Sequence, residues 1–353
     1  MTIDASIRIK NIWKVFGEIT EETLKKIRSE NISKDDALAE YDCVIGVADA
    51  SFEVSPGEIF CIMGLSGSGK STLVRHINRL LDPTAGSIEV NGQDIISLSE
   101  KELRNFRNKH IGMVFQNFAL LPHRSVLENV ATPLEIRGMP KNQRVEIAER
   151  ILATVELTGW SNKFAHELSG GMQQRVGLAR ALAADTEILL MDEPFSALDP
   201  LIRRQLQSEF INLSVEMKKT TVFITHDLEE AVRIGHRIAI MRDGRIVQIG
   251  TPEDIVINPA DSYIAEFVGG ISRLKITKAS SIMQPIERYE RENKVISNDA
   301  PLVNENKNLD QLINTAVNTN SELRVTNVDG KIIGVITHSD LLSSVIERPK
   351  TFD

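Results

Sequence analysis

Basic charge is scarce in this chain: 41 lysines and arginines stand against 49 acids, a formal net charge of −8 over 353 residues. A general nucleic-acid binder draws most of its affinity from a basic surface, so that class is disfavoured, while a local basic site stays compatible with the total. Long apolar runs are missing as well. Nowhere do about 18 apolar residues follow one another, the length a membrane-spanning helix needs, and residues 1–10 hold no apolar core of signal-peptide length. The expectation is a chain that neither crosses a membrane nor is exported, so that any membrane role comes through a partner. Cysteine is rare too. Cys43 and Cys61 have no metal-ligand spacing and form either one disulfide or, as a reducing cytosol favours, two buried thiols. No internal repeat or low-complexity tract is evident. What is present, 42% hydrophobic and 25% charged residues, suits a folded protein, and the length accommodates two domains.

The pattern along the chain alternates between strand and helix. Residues 7–12 (Ile-Arg-Ile-Lys-Asn-Ile) alternate with period two and predict a half-exposed strand. Residues 18–40 break that pattern with a charged stretch, which predicts a solvated helical insertion. Strands are predicted at 44–54, 58–63 and 86–92, and a helix over 70–80. In 141–156, Val145, Ala148, Ile151, Leu152 and Val155 share one helical face. The runs Ile188-Leu189-Leu190-Met191 and Thr221-Val222-Phe223-Ile224-Thr225 are continuously apolar, as strands buried on both faces are. Such α/β alternation predicts a largely parallel sheet covered by helices. After Gly269-Gly270 the composition turns polar. The expected division is therefore 1–270, a linker and lead-in over 271–308, and a small C-terminal α+β unit over 309–353.

Gly64-Leu65-Ser66-Gly67-Ser68-Gly69-Lys70-Ser71 satisfies G-x-x-x-x-G-K-[ST] between a predicted strand and a predicted helix. The pattern alone arises by chance in roughly one chain in a hundred; with that strand and helix around it, it is a nucleotide site. Its glycines let backbone N–H groups curl around phosphate oxygens at a helix N-terminus. Lys70 would reach the β- and γ-phosphates, and the Ser71 hydroxyl would ligate Mg²⁺. Such a site needs a carboxylate on the metal and a group that positions water. The strand ending Met191-Asp192-Glu193 offers both. Neighbouring strand residues face opposite ways, so Asp192 is expected to orient Mg²⁺ and Glu193 to act as general base. His226, after the next buried strand, would contact the γ-phosphate and the water; a lone histidine is more often structural, so spacing alone leaves its role open. Gln116 is a further candidate for the Mg²⁺ shell.

Leu168-Ser169-Gly170-Gly171-Met172-Gln173-Gln174-Arg175 opens another helix with a bare glycine turn, although the phosphates already have a cradle about 100 residues earlier. One explanation is that this turn grips the γ-phosphate held by a second copy of the chain. With the phosphate loop, Gln116, this turn, Asp192-Glu193, Ser196-Ala197-Leu198-Asp199 and His226 in that order, residues 7–268 resemble the nucleotide-binding subunits of ABC transporters. The resemblance implies a P-loop NTPase of ABC type with a mostly parallel sheet core, an antiparallel β subdomain and a helical subdomain. It implies ATP and Mg²⁺ as cofactors, with Gly64, Ser66, Gly67, Ser68, Gly69, Lys70, Ser71, Thr72 and Gln116 around the nucleotide. Ser169, Gly170 and Gly171 would close on ATP across a homodimer, and Asp199 would belong to the loop linking the two sites. An aromatic residue upstream of the loop stacks on adenine in this family; Phe16 is the matching position, set unusually far off by the insertion.

That insertion, with the Leu-Ser-Gly-Gly-Met-Gln-Gln-Arg spelling, resembles the ATPases of glycine betaine/proline-type importers. It implies import of a quaternary amine or related compatible solute, driven from the cytoplasmic face of the inner membrane. Expected partners are two integral membrane permease subunits and an extracytoplasmic substrate-binding protein, with no nucleic acid. Segment 116–123 would carry ATP-dependent changes to a membrane subunit, unless it is plain core packing. Residues 323–337, with the following helix, resemble one CBS motif, a regulatory element, with 281–285 as its lead-in. An importer ATPase of another class, for amino acids or sugars, is the alternative. A soluble ABC protein acting on DNA or ribosomes would show two cassettes, a long coiled coil or a basic arm, and none is present.

Overall fold

The computed structural model describes residues 6–116, 118–196, 198–291, 299–319 and 321–346, so that Asn117 and Ala197 of the motifs above, and 292–298 of the expected linker, lie outside the described residues. The chain forms two compact units, Met1–Ile249 and Gly250–Asp353.

In the first unit, strands Ile59–Met63, Thr220–Thr225 and Ile188–Asp192 are buried at every residue. They lie side by side and parallel, flanked by Ile111–Val114 beyond Ile188–Asp192 and by Arg237–Arg242 on the other side of Ile59–Met63. The continuous apolar runs follow from this arrangement, since a central parallel strand has no solvent face. A second sheet is antiparallel and places Ile7–Phe16 between Val44–Val54 and Ala85–Val90. Ile7, Ile9 and Ile12 from this sheet join Phe60, Ile62 and Leu73 in one core with the phosphate-loop helix, Lys70–Ile77. Helices Val126–Ile136, Lys141–Thr154 and Gly170–Ala183 make up the helical part, the first and last started by serine caps at Ser125 and Ser169.

His76 lies fully buried in the phosphate-loop helix, and burial pushes its imidazole down to about 4. Because this folded value lies below the unfolded one of about 6.5, the unfolded chain binds the proton first. Stability is therefore untouched above pH ~6.5 and falls by about 3 kcal/mol as pH drops towards 4. Urea midpoints of His76→Leu against the native chain check this: the variant should lose less between those pH values, and parallel curves would refute it.

The insertion differs from its expectation. Helices Glu21–Ser29 and Lys34–Tyr41, capped by Thr20 and Ser33, are not merely solvated. Ile27 and Ala37 are fully buried against Trp13, Val15, Cys43, Ile45 and Ala48. Charge dominates the composition, yet a few apolar residues dock the helices, with Ile19, Leu24, Ile32 and Tyr41 packed partly buried around Ile27 and Ala37. Phe16 pairs directly with Val44, so the chain leaves and re-enters the sheet at one point. Cys43 and Cys61 are both buried free thiols, the second of the two readings above.

The second unit corrects the expected 271–308 linker and the 270/271 boundary. Gln284–Pro285 pairs with Ile332–Ile336, and Leu302–Asn304 pairs in parallel with Leu323–Thr326. Polar composition hid these strands because each is very short, with Val303 the one buried residue of its strand. Helices Leu309–Thr319 and His338–Ile346 cover the sheet through Leu309, Leu312, Ala316 and Leu341. Thr337 and Asp340 form a cap at the start of helix His338–Ile346: the Thr337 N–H and hydroxyl donate to the Asp340 carboxylate at 2.8 and 2.7 Å, and the Gln284 amide adds a third donor.

Candidate nucleotide site

The phosphate loop leaves the end of Ile59–Met63 and enters Lys70–Ile77 through Gly69, whose φ is +99°. Two glycines here are obligatory. A Cβ on Gly64 would stand 2.2 Å from the Met241 carbonyl oxygen, and one on Gly69 would stand 2.3 Å from that of Gly46. Lys70 folds back over the loop, donating to the carbonyls of Gly64 (2.8 Å) and Leu65 (2.9 Å). Burial holds its ammonium below the usual lysine range, against the pull of Glu193 and Asp192. A nucleotide phosphate would offer that ammonium the anion it lacks.

Ser71 donates its hydroxyl to Asp192 Oδ1 at 2.8 Å. The other oxygen, Oδ2, is buried without a hydrogen bond, its nearest cation being Arg75 at 3.7 Å. Burial, the largest cause, raises the Asp192 carboxyl above its usual range. A fully buried carboxylate oxygen without a donor, next to a serine hydroxyl, is the oxygen donor set that a small hard cation takes. Among the described residues no group of three or more His, Cys, Asp or Glu side chains could hold a metal by itself. The protein thus offers part of a shell, as Mg²⁺ sites that share their ion with substrate phosphates do.

Glu193 sits just past the strand in the left-handed region, with φ +49°. A non-glycine residue there is strained, and three contacts hold it. Its N–H donates to the Ile224 carbonyl at 3.1 Å, while the Gln174 amide (3.2 Å) and the Ser196 hydroxyl (3.1 Å) donate to its own carbonyl. The left-handed turn, and not strand alternation, therefore sets where its side chain points. Glu193 has left the strand, and its carboxylate lines the same cleft as Ser71. His226 Nδ1 lies 3.2 Å from that carboxylate, and the Gln116 amide donates to it at 3.4 Å.

The expected residues separate into two clefts. Phe16, Ser66, Gly67, Gly69, Lys70, Ser71, Thr72, Gln116 and Glu193 line one of about 320 Å³. Gly64 and Ser68 lie buried in the loop behind it. Ser169, Gly170, Gly171 and Asp199 line another, of about 580 Å³, with Met172 and Arg175. Phe16 reaches the first cleft despite the insertion because of its pairing with Val44. Gly46 leaves it room: a Cβ there would stand 2.6 Å from the ring. Asp199 accepts from the N–H groups of Leu201 and Ile202, at 3.2 and 3.1 Å, where helix Pro200–Met217 begins. Gln174, Arg75, Gly46 and Lys34 escape a reading of the sequence. Gln174 belongs to a recognised motif and Arg75 lies one helical turn after Ser71, but nothing in the sequence brings Gly46 or Lys34 near the loop.

A family model described as ABC transporter matches residues 47–196. Over 98% of this chain and 99% of its own length, the trimethylamine N-oxide transport system ATP-binding protein TmoW of Pelagibacter ubique is 44% identical. The chain belongs to the ABC transporter family. This ABC ATPase is also 51% identical to the glycine betaine/carnitine transport ATP-binding protein GbuA of Listeria monocytogenes, over 79% of the chain and 70% of that protein. Its fold matches the ATP-binding cassette MJ0796, solved as a dimer bound to ADP and Pi, at TM-score 0.61 and 32% identity, covering 70% of this chain and 98% of that one. As a family member it binds and hydrolyses ATP.

Proposed function

We propose that this ABC ATPase powers import of a quaternary amine or related compatible solute of the glycine betaine, proline betaine, choline or trimethylamine N-oxide type. The observation that carries this reading is the near full-length identity with a trimethylamine N-oxide transport ATP-binding protein, which spans both units and the insertion. No helix among the described residues is long and apolar enough to cross a membrane. In this reading the solute passes through partners: two integral membrane permease subunits, served by an extracytoplasmic substrate-binding protein. The ATPase sits peripherally on the cytoplasmic face of the inner membrane.

In this reading two chains pair head to tail, so that Ser169, Gly170 and Gly171 of one close on ATP in the first cleft of the other. Lys70 and the loop 64–72 hold the phosphates, Phe16 stacks on the adenine, and Asp199 lies on the connection between sites. Ser71, Asp192 and Gln116 would hold Mg²⁺, which supplies charge neutralisation on the phosphates when bound. Glu193 takes a proton from water as its oxygen bonds to the γ-phosphorus and the bond to the bridging oxygen breaks; His226 orients that water. Segment 116–123 meets a membrane subunit. The Arg180 guanidinium on helix Gly170–Ala183 donates to the Phe118 carbonyl at 2.9 Å, which supports a mechanical link between that helix and segment 116–123. The C-terminal unit is regulatory, with one CBS-like motif per chain.

Reconstitution with the membrane subunits in ATP-loaded vesicles tests the cargo. Uptake of at least one methylated amine, abolished without ATP, is the expected result. Uptake confined to amino acids or sugars would overturn it.

A further inference from the structure

The phosphate-loop cleft has one lining residue that comes from the insertion. Lys34 opens the second insertion helix, and its ammonium donates to the Gly67 carbonyl at 3.1 Å. It lines the cleft together with Phe16, Gly46, Ser66 and Thr72. Two features fix it there. The pairing of Phe16 with Val44 anchors both ends of the insertion beside the cleft, and Ile27 and Ala37 pin its helices to the sheet beneath. The nearby acid Asp36 is drawn into the helix cap, accepting from the Ser33 hydroxyl at 2.6 Å. Asp35 is exposed beside it. The ammonium thus stands between the aromatic end of the cleft and the loop that cradles phosphate.

We propose that Lys34 is a nucleotide-contacting residue. With ATP or ADP in the cleft, its ammonium pairs with phosphate oxygens, and the insertion becomes one wall of the nucleotide site. The proposal rests on reading this cleft as the ATP site. Its chemical basis is a competition between acceptors. The Gly67 carbonyl is neutral, whereas the phosphate chain is multiply charged, and charge-assisted hydrogen bonds are roughly twice as strong as neutral ones. Lysine's flexible four-carbon stem lets the ammonium move to the better acceptor without moving the helix. Nucleotide binding then restrains the insertion.

Titration of the full chain with Mg-ATP, Mg-ADP and adenosine tests this. The variants are Lys34→Met, which keeps the apolar stem and deletes the charge, and Lys34→Arg. Lys34→Met should weaken ATP and ADP about fivefold, or ~1 kcal/mol, at about 50 mM salt. The difference should shrink at about 500 mM, where the Debye length is much shorter. Adenosine affinity should be unchanged, and Lys34→Arg should restore the di- and triphosphate. The proposal fails if Lys34→Met binds all three ligands like the native chain, or if adenosine weakens as much as ATP, which would mark Lys34 as a support of the loop alone. Failure of the underlying reading looks different: Lys70→Ala, at the centre of the same cleft, would bind Mg-ATP like the native chain.

Discussion

Glu193→Gln is expected to lower ATP turnover about 10²- to 10⁴-fold, the usual contribution of a positioned base, while Mg-ATP affinity stays unchanged. The amide keeps the shape and the contacts with His226 and Gln116 but cannot accept the proton from water. Removing the charge also relieves repulsion between the carboxylate and the γ-phosphate, so a nucleotide-bound dimer should accumulate. Phosphate release, nucleotide titration and sizing in Mg-ATP measure the three effects. Turnover at the native rate would remove Glu193 from the base role. A monomer at saturating Mg-ATP would sink the composite site.

The second large effect concerns two inactive variants that should rescue one another. Lys70→Ala removes the ammonium that reaches over the phosphate loop, and Gly170→Asp places a carboxylate where another chain's γ-phosphate is expected. A Cβ on Gly170 meets nothing within 4 Å in its own chain, so the side chain starts there without a clash. Each variant alone should lack turnover. In a mixed dimer, the native phosphate loop of the Gly170→Asp chain faces the native Ser169-Gly170-Gly171 turn of the Lys70→Ala chain, which makes one intact site. ATPase activity should therefore return on mixing. Continued silence in mixtures shown to contain heterodimers would mean that each chain hydrolyses ATP alone.

Much of this protein is legible in its sequence, and the reason is local. The loop 64–71 carries its chemistry in consecutive residues, because glycine backbone freedom and a helix N-terminus are properties of a short segment. The buried strands ending at Asp192 and Thr225 announce themselves by unbroken apolar runs. The small C-terminal strands do not: Leu302–Asn304 has three residues, and its pairing partner lies about twenty positions away. Nor did alternation settle where Glu193 points, since its left-handed φ is imposed by Ile224, Gln174 and Ser196 from three separate elements.

By itself, then, the sequence determined the nucleotide chemistry, the parallel core and the presence of two glycine turns, all of which depend on neighbours along the chain. Only the tertiary structure decided which residues share a cleft. It set the Ser169-Gly170-Gly171 turn apart from the phosphate loop of its own chain, brought Phe16 back across the insertion to the cleft, and carried Lys34 to the Gly67 carbonyl. For Phe16 and Lys34 the physical reason is the antiparallel pairing of Phe16 with Val44, a contact between residues far apart in sequence that no local pattern encodes.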